Sequence, residues 1–111
     1  MNSTTPYEKK RDLHSPNRNI SPITSEIDQD GELMIGGCKI TSLAERYGTP
    51  LYVLDEDTIR LSCRTYVNAL DKYYSGDSLA LYASKANSSI VISRIIASEN
   101  LGLDAVSEGE L

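Results

Sequence analysis

From residue 51 onward the sequence alternates between short apolar runs and longer stretches with helical spacing. This order constrains the fold more than any other feature. Leu51-Tyr52-Val53-Leu54 predicts a four-residue buried strand. Asp55 follows as a helix N-cap, and Glu56 and Asp57 place negative charge in the first turn, where the helix dipole favours it. Ile59, Cys63, Tyr66, Val67 and Leu70 then recur along one side of a helix reaching about Tyr74. Gly76-Asp77 breaks that helix. Leu79 to Ala83 predicts a second strand ending near Lys85, and 88–99 a second helix with Val91, Ile92, Ile95 and Ile96 at paired positions. Asn100-Leu101-Gly102 is a stop, and Leu103 to Val106 a third strand. Strand, helix, strand, helix, strand is the order of parallel strands joined by right-handed crossovers. The class is therefore α/β, either an open doubly wound sheet or the start of a (β/α)8 barrel. No glycine-rich loop follows any strand, so a dinucleotide-binding fingerprint is missing. A complete barrel takes roughly 250 residues, and the chain has 111.

The residues before this alternation read differently. Residues 1–22 are rich in Ser, Thr, Asn and Pro and too poor in apolar side chains to offset their ordering entropy, which predicts a disordered arm. Glu8, Asp12 and the lack of an amphipathic stripe argue against a transit peptide. In 23–50, Glu32 to Ile40 predicts a hairpin turning at Gly36-Gly37. A short helix follows, with Ser42 and Glu45 at capping-box spacing and Leu43, Ala44 and Tyr47 as its apolar side. Gly48 suits the position after a helix end, and Pro50 prevents continuation. The final residues, Asp104 to Leu111, read as a strand, a turn and the opening of a helix, which predicts a truncated product of a longer protein.

Composition narrows the function classes. No run of 18 apolar residues is present, so no membrane-spanning helix is expected. The first 20 residues lack the apolar stretch of a secretory signal. A net charge of −5 argues against nucleic acid as the main partner. Cys38 and Cys63 are too few for a disulfide framework or a zinc site and read as reduced, partly buried thiols of a cytoplasmic protein. The lone His14 sits in the polar arm, away from any triad. Phe and Trp are absent and Tyr occurs seven times, which leaves few large apolar anchors.

Tyr82-Ala83-Ser84-Lys85-Ala86-Asn87 carries the chemistry. An ammonium placed directly after an apolar run is costly to bury unless paired or neutralised. Alternation would put Leu81, Ala83 and Lys85 on one strand face and Tyr82 and Ser84 on the other. In a barrel, Lys85 would point into the C-terminal mouth, where active sites of that fold lie. A partly desolvated lysine can act as an amine nucleophile toward an aldehyde. Asp104, at the start of the next strand-like run, could point into the same mouth. A strand-end lysine that merely snorkels to solvent is the commoner case.

Three phrases add a resemblance. Leu43-Ala44-Glu45-Arg46-Tyr47-Gly48-Thr49-Pro50-Leu51-Tyr52-Val53-Leu54-Asp55 resembles the LAEEYGTPLYVYDE opening of diaminopimelate decarboxylases. Tyr82 to Asn87 resembles their YAxKAN, and Leu103 to Leu111 resembles their FDVVSGGEL. The resemblance covers residues 31–111 and implies a fold-type III, alanine-racemase-like (β/α)8 barrel with an added β-domain. Residues 23–50 would give leading strands and a short helix of the β-domain region, and 51–111 the first βα units of the barrel. Lys85 would carry pyridoxal 5′-phosphate, with Asp104 beside it. The implied reaction is decarboxylation of meso-diaminopimelate to L-lysine and CO2, by a cytoplasmic homodimer acting on a small-molecule amino acid. The phosphate loop, the ring-stacking histidine and the acid for the pyridine nitrogen would lie beyond Leu111, so the 111 residues alone are expected to be inactive. Leu103 replaces an aromatic residue and Glu108 a glycine of the pattern, and Glu108 would either alter the pocket or face solvent. Alanine racemases resemble the chain less, because Asn87 is followed by Ser88-Ser89-Ile90-Val91 and not by their Tyr-Gly-His-Gly. Ornithine- and arginine-type decarboxylases, or a non-catalytic cofactor-binding barrel protein, are the alternatives. The Gly-Thr-Pro-Leu-Tyr phrase favours the diaminopimelate group.

Overall fold

The structure, a computed structural model, describes residues 16–17, 19–105 and 107–110. The arm expected at 1–22 lies outside these residues except for 16–17 and 19–22, where the Ile20 and Ser21 amides turn back onto the Asn17 carbonyl. His14 and Val106 also lie outside. The described residues divide into two compact units between Thr58 and Ile59.

The first unit holds a three-stranded antiparallel meander, β1 (Glu26–Ile27), β2 (Leu33–Ile35) and β3 (Cys38–Lys39), in the order β1-β2-β3. The Gly36-Gly37 turn has φ of 57° and 78°, the two positive values that a tight two-residue hairpin demands. The hairpin expected at 32–40 is therefore present, and Ile35 pairs with Cys38 across it. β1, which has no alternation long enough to read, is added through the turn at 28–32. There Asp28 Oδ1 accepts from the Asp30 and Glu32 amides, at 2.9 Å each.

Helix α1 (Ile40–Tyr47) starts directly from β3. The expected capping box is absent: Ser42 and Glu45 lie inside the helix, and Lys39 occupies the N-cap position without a side-chain bond to it. The reason is electrostatic. The Lys39 ammonium is engaged by Asp28, Asp30 and Glu32 at 3.1, 3.5 and 3.4 Å, so the strand runs straight into the helix. Gly48, with φ of 80°, closes α1 by returning its amide to the Ala44 carbonyl.

Leu51 to Leu54 differ from the expectation of a buried strand. They pair with no strand among the described residues, and Tyr52 is 98% exposed. A four-residue apolar run is buried only when neighbouring layers cover it, and among the described residues Leu51, Tyr52 and Leu54 are left exposed. Asp55 caps the following helix as expected, its Oδ2 accepting from the Thr58 amide at 3.1 Å. That helix is α2 (Glu56–Tyr73).

The second unit is a strand–helix–strand unit: β4 (Leu81–Ala83), α3 (Ile90–Ser98) and β5 (Gly102–Asp104). β4 and β5 pair in parallel, Leu81 with Gly102, Tyr82 with Leu103 and Ala83 with Asp104. The α/β class and the parallel crossover read from the alternation are thus present. Cys63, Ile92 and Ile96 form the buried cluster, with Ile59, Tyr82 and Leu101 packed against it. Each fully buried isoleucine stabilises the unit by roughly 1.5–3 kcal/mol. Tyr66, placed on the same helical side by its spacing, is instead 67% exposed.

Both ends of α3 are closed by hydrogen bonds. Ser89 Oγ accepts from the Ile92 amide at the N-terminus. At the C-terminus Asn100 adopts a left-handed φ of 65°. Its amide reaches the Ala97 carbonyl and the Leu101 amide reaches that of Ile96, the paired bonds of a Schellman cap. Leu101 then packs back onto the cluster that holds Ile96.

Candidate functional site

The parallel pairing fixes where the site residues lie. Tyr82 packs toward the helices, so by alternation Leu81 and Ala83 occupy the other face of the sheet. Gly102 shares that face, because a Cβ there would sit 2.6 Å from Leu81 Cδ2. Asp104 follows Gly102 by two residues and belongs to the same face. Asp104 is exposed, as are Leu81 and Ala83.

Lys85 does not continue the strand. After Ala83 the chain enters a single 3-10 turn, Ser84–Ala86, and Lys85 is its middle residue. The inward strand position expected from alternation is replaced by an exposed position on that turn. The turn nevertheless follows directly from the Ala83–Asp104 pair, so amine and carboxylate are carried at the same end of adjacent strands.

Two hydroxyl groups hold this turn. Ser84 is 2% exposed, and its Oγ–H donates to the Asp104 main-chain carbonyl at 3.0 Å. The Tyr82 hydroxyl donates to the Asn87 carbonyl at 3.0 Å. Sequence reasoning assigned neither residue a role. A lone serine inside an apolar-to-polar transition carries no periodic signal, and its burial depends on a strand 20 residues away.

Other polar clusters have structural explanations. Glu99 bridges Arg64, at 2.9 and 3.0 Å, and Arg60, at 2.9 Å. These guanidinium hydrogen bonds, Arg64 first, hold its carboxyl below the usual glutamate range. Burial pushes the Cys63 thiol up, which makes it a poor nucleophile. Cys38 is exposed, so the expectation of two partly buried thiols is corrected at both positions. Glu108 lies exposed in a short 3-10 turn, Glu108–Glu110. A cavity of about 330 Å³ in the first unit is lined by Ile35, Cys38, Leu43, Val53, Leu54 and Asp55 among others, and neither Lys85 nor Asp104 lines it. No group of three His, Cys, Asp or Glu side chains suited to a metal ion occurs among the described residues. No helix among them is long and apolar enough to cross a membrane.

No family model matches the chain. Individual relatives do. It is 47% identical over 97 residues to the diaminopimelate decarboxylase of Synechocystis sp., covering 87% of this chain and 21% of that protein. The enzyme of Methanothermobacter thermautotrophicus is 44% identical over 86 residues, covering 78% of this chain and 20% of the relative. Among solved structures, the diaminopimelate decarboxylase of M. jannaschii superposes with a TM-score of 0.72 at 38% identity, over 80% of this chain and 21% of the other. The chain thus spans about a fifth of the length of the curated relatives it matches. Over that fifth, in both sequence and backbone, it is similar to the diaminopimelate decarboxylases.

Proposed function

We propose that the chain is the lysine-bearing part of a pyridoxal 5′-phosphate-dependent decarboxylase that converts meso-diaminopimelate to L-lysine and CO2. The observation that carries this reading is the parallel Ala83–Asp104 pairing, which sets a primary amine and a carboxylate at the matched ends of neighbouring strands. The relatives support the substrate. On this reading the βα units after residue 51 begin a (β/α)8 barrel. The sheet face turned away from the helices, with Leu81, Ala83 and Asp104, becomes the barrel interior, and Lys85 stands at its C-terminal mouth. The resemblance also supports a cytoplasmic homodimer.

The residues present fit such a cofactor. An aldehyde requires an accessible primary amine, and Lys85 is exposed on a turn held by side-chain hydrogen bonds. When bound, pyridoxal 5′-phosphate supplies an electron sink for the carbanion left by loss of CO2. Lys85 would hold the cofactor through Nζ, which is nucleophilic only in its neutral form. The same Nζ would be placed to hold a proton and return it. Asp104 would supply a carboxylate at the same end of the neighbouring strand.

The test is covalent trapping. The intact protein carrying these residues is incubated with pyridoxal 5′-phosphate, reduced with borohydride and mapped by peptide mass. The cofactor mass is expected on Lys85, and Lys85→Ala is expected to abolish CO2 release from meso-diaminopimelate. Label on another lysine, with Lys85 unmodified, would overturn the assignment.

A further inference from the structure

We propose that Ser84 is a positioning residue for the Lys85–Asp104 pair, its hydroxyl tying the backbone of Asp104 to the turn that carries Lys85. The inference rests on the site reading above and deepens it.

Ser84 stands between two exposed residues, Ala83 and Lys85, yet is itself 2% exposed. A hydroxyl so deeply buried is costly unless it is hydrogen-bonded. Its partner is the main-chain carbonyl of Asp104, at 3.0 Å. The placement matters because the backbone ladder runs out here. Ala83–Asp104 is the last pair of the β4–β5 register, and the next residue of the first strand has already turned into the 3-10 turn. The serine hydroxyl extends the link between the strands by one residue, at the point where the two candidate site residues leave the sheet. From the other side, the Tyr82 hydroxyl bonds to the Asn87 carbonyl and closes the far end of the turn. Lys85 therefore rides on a turn fastened at both ends, and one of the fastenings is made to the residue that bears the carboxylate.

A purely structural serine would satisfy the same carbonyl, so the test must separate the two roles. Asp104→Asn keeps the main-chain carbonyl, and with it the Ser84 bond, but removes the carboxylate. The intact protein is prepared as wild type, Ser84→Ala, Ser84→Thr, Asp104→Asn and the Ser84→Ala/Asp104→Asn double variant. The probe is pyridoxal 5′-phosphate, titrated by absorbance and fixed with borohydride. Loss of one buried hydrogen bond predicts roughly tenfold weaker binding in Ser84→Ala. Ser84→Thr, which keeps the hydroxyl, is expected within about twofold of wild type. In the Asp104→Asn background the serine substitution is expected to add less than about twofold, because the carboxylate it holds in place opposite Lys85 is gone. In the cofactor-free protein, Ser84→Ala is expected to speed hydrogen exchange of the Lys85 and Ala105 amides and to leave that of Ile95 and Ile96 unchanged. Should Ser84→Ala fail to fold, Ser84→Cys, which keeps the volume and only a weak donor, is carried through the same cycle.

An equal loss in both backgrounds would show that the serine is structural and would overturn the positioning role while leaving Lys85 as the anchor. Cofactor mass on a different lysine in wild type would overturn the site reading and this inference together.

Discussion

Glu99 shows how a single carboxylate organises the end of α3. Its side chain is 10% exposed and receives hydrogen bonds from the guanidinium groups of Arg64 and Arg60, one turn apart on α2. Donors of this kind favour the ionised carboxylate, which is why its pKa lies below the usual range. The folded protein therefore binds the proton less readily than the unfolded chain does. The contribution to stability is fully present above the ordinary glutamate value of about 4.3 and is lost as pH falls through the lower, folded value. Glu99→Gln keeps the shape and removes the charge. The thermal midpoint of the intact protein is expected to be lower in Glu99→Gln than in wild type at pH 7. That difference should shrink steadily below about pH 4. A difference that is the same at pH 7 and pH 3 would rule out the charge as the cause.

At the scale of elements, capping chemistry sets the boundaries. Asn100 occupies a left-handed position that lets the Asn100 and Leu101 amides close the last turn of α3. A residue with an ordinary Cβ pays roughly 1–2 kcal/mol there, which glycine escapes and asparagine partly escapes. Asn100→Ala is expected to destabilise the protein by about 1 kcal/mol, and Asn100→Gly to be neutral or slightly stabilising, both read from denaturant midpoints. The reverse order would refute the assigned cap. These local signals are also the ones that sequence reveals. The Asp55 cap, the Gly36-Gly37 hairpin, the break at Gly76 and the stop at Asn100 are all written in single residues and short spacings, and all are present. What sequence conceals is tertiary. Leu51 to Leu54 have a strand's composition but pair with no strand among the described residues. Ser42 and Glu45 have a capping box's spacing, but an ion cluster at Lys39 starts the helix earlier. Lys85 and Asp104 are candidates named by the three phrases, whereas the Ser84 hydrogen bond to the Asp104 carbonyl depends on a pairing that no local pattern encodes.

At the scale of the whole molecule, the balance of buried and exposed apolar side chains is uneven. Among the described residues the buried hydrophobic ones are Cys63, Ile92, Ile95 and Ile96, all in the second unit. Leu79, Leu81 and Val91 of the same unit are 66%, 59% and 67% exposed. Paired only with each other among the described residues, β4 and β5 each leave an edge with unpaired amides and carbonyls. The 111 residues taken alone are accordingly expected to self-associate, to bind a hydrophobic dye and to melt without a sharp transition. Sedimentation and calorimetry check this, and a monomer with one sharp cooperative transition would contradict it.

The parallel register of β4 and β5 has a consequence for how such a site can change over time. Nineteen positions of chain separate Lys85 from Asp104, yet β4, which leads into the Lys85 turn, and β5, which ends at Asp104, stand one ladder spacing apart, about 4.8 Å. The connecting stretch could gain or lose a helical turn without altering that spacing. Strand-end geometry and crossover length are thereby uncoupled, and insertions between Asn87 and Leu101 should be tolerated where a one-residue shift in pairing would not be.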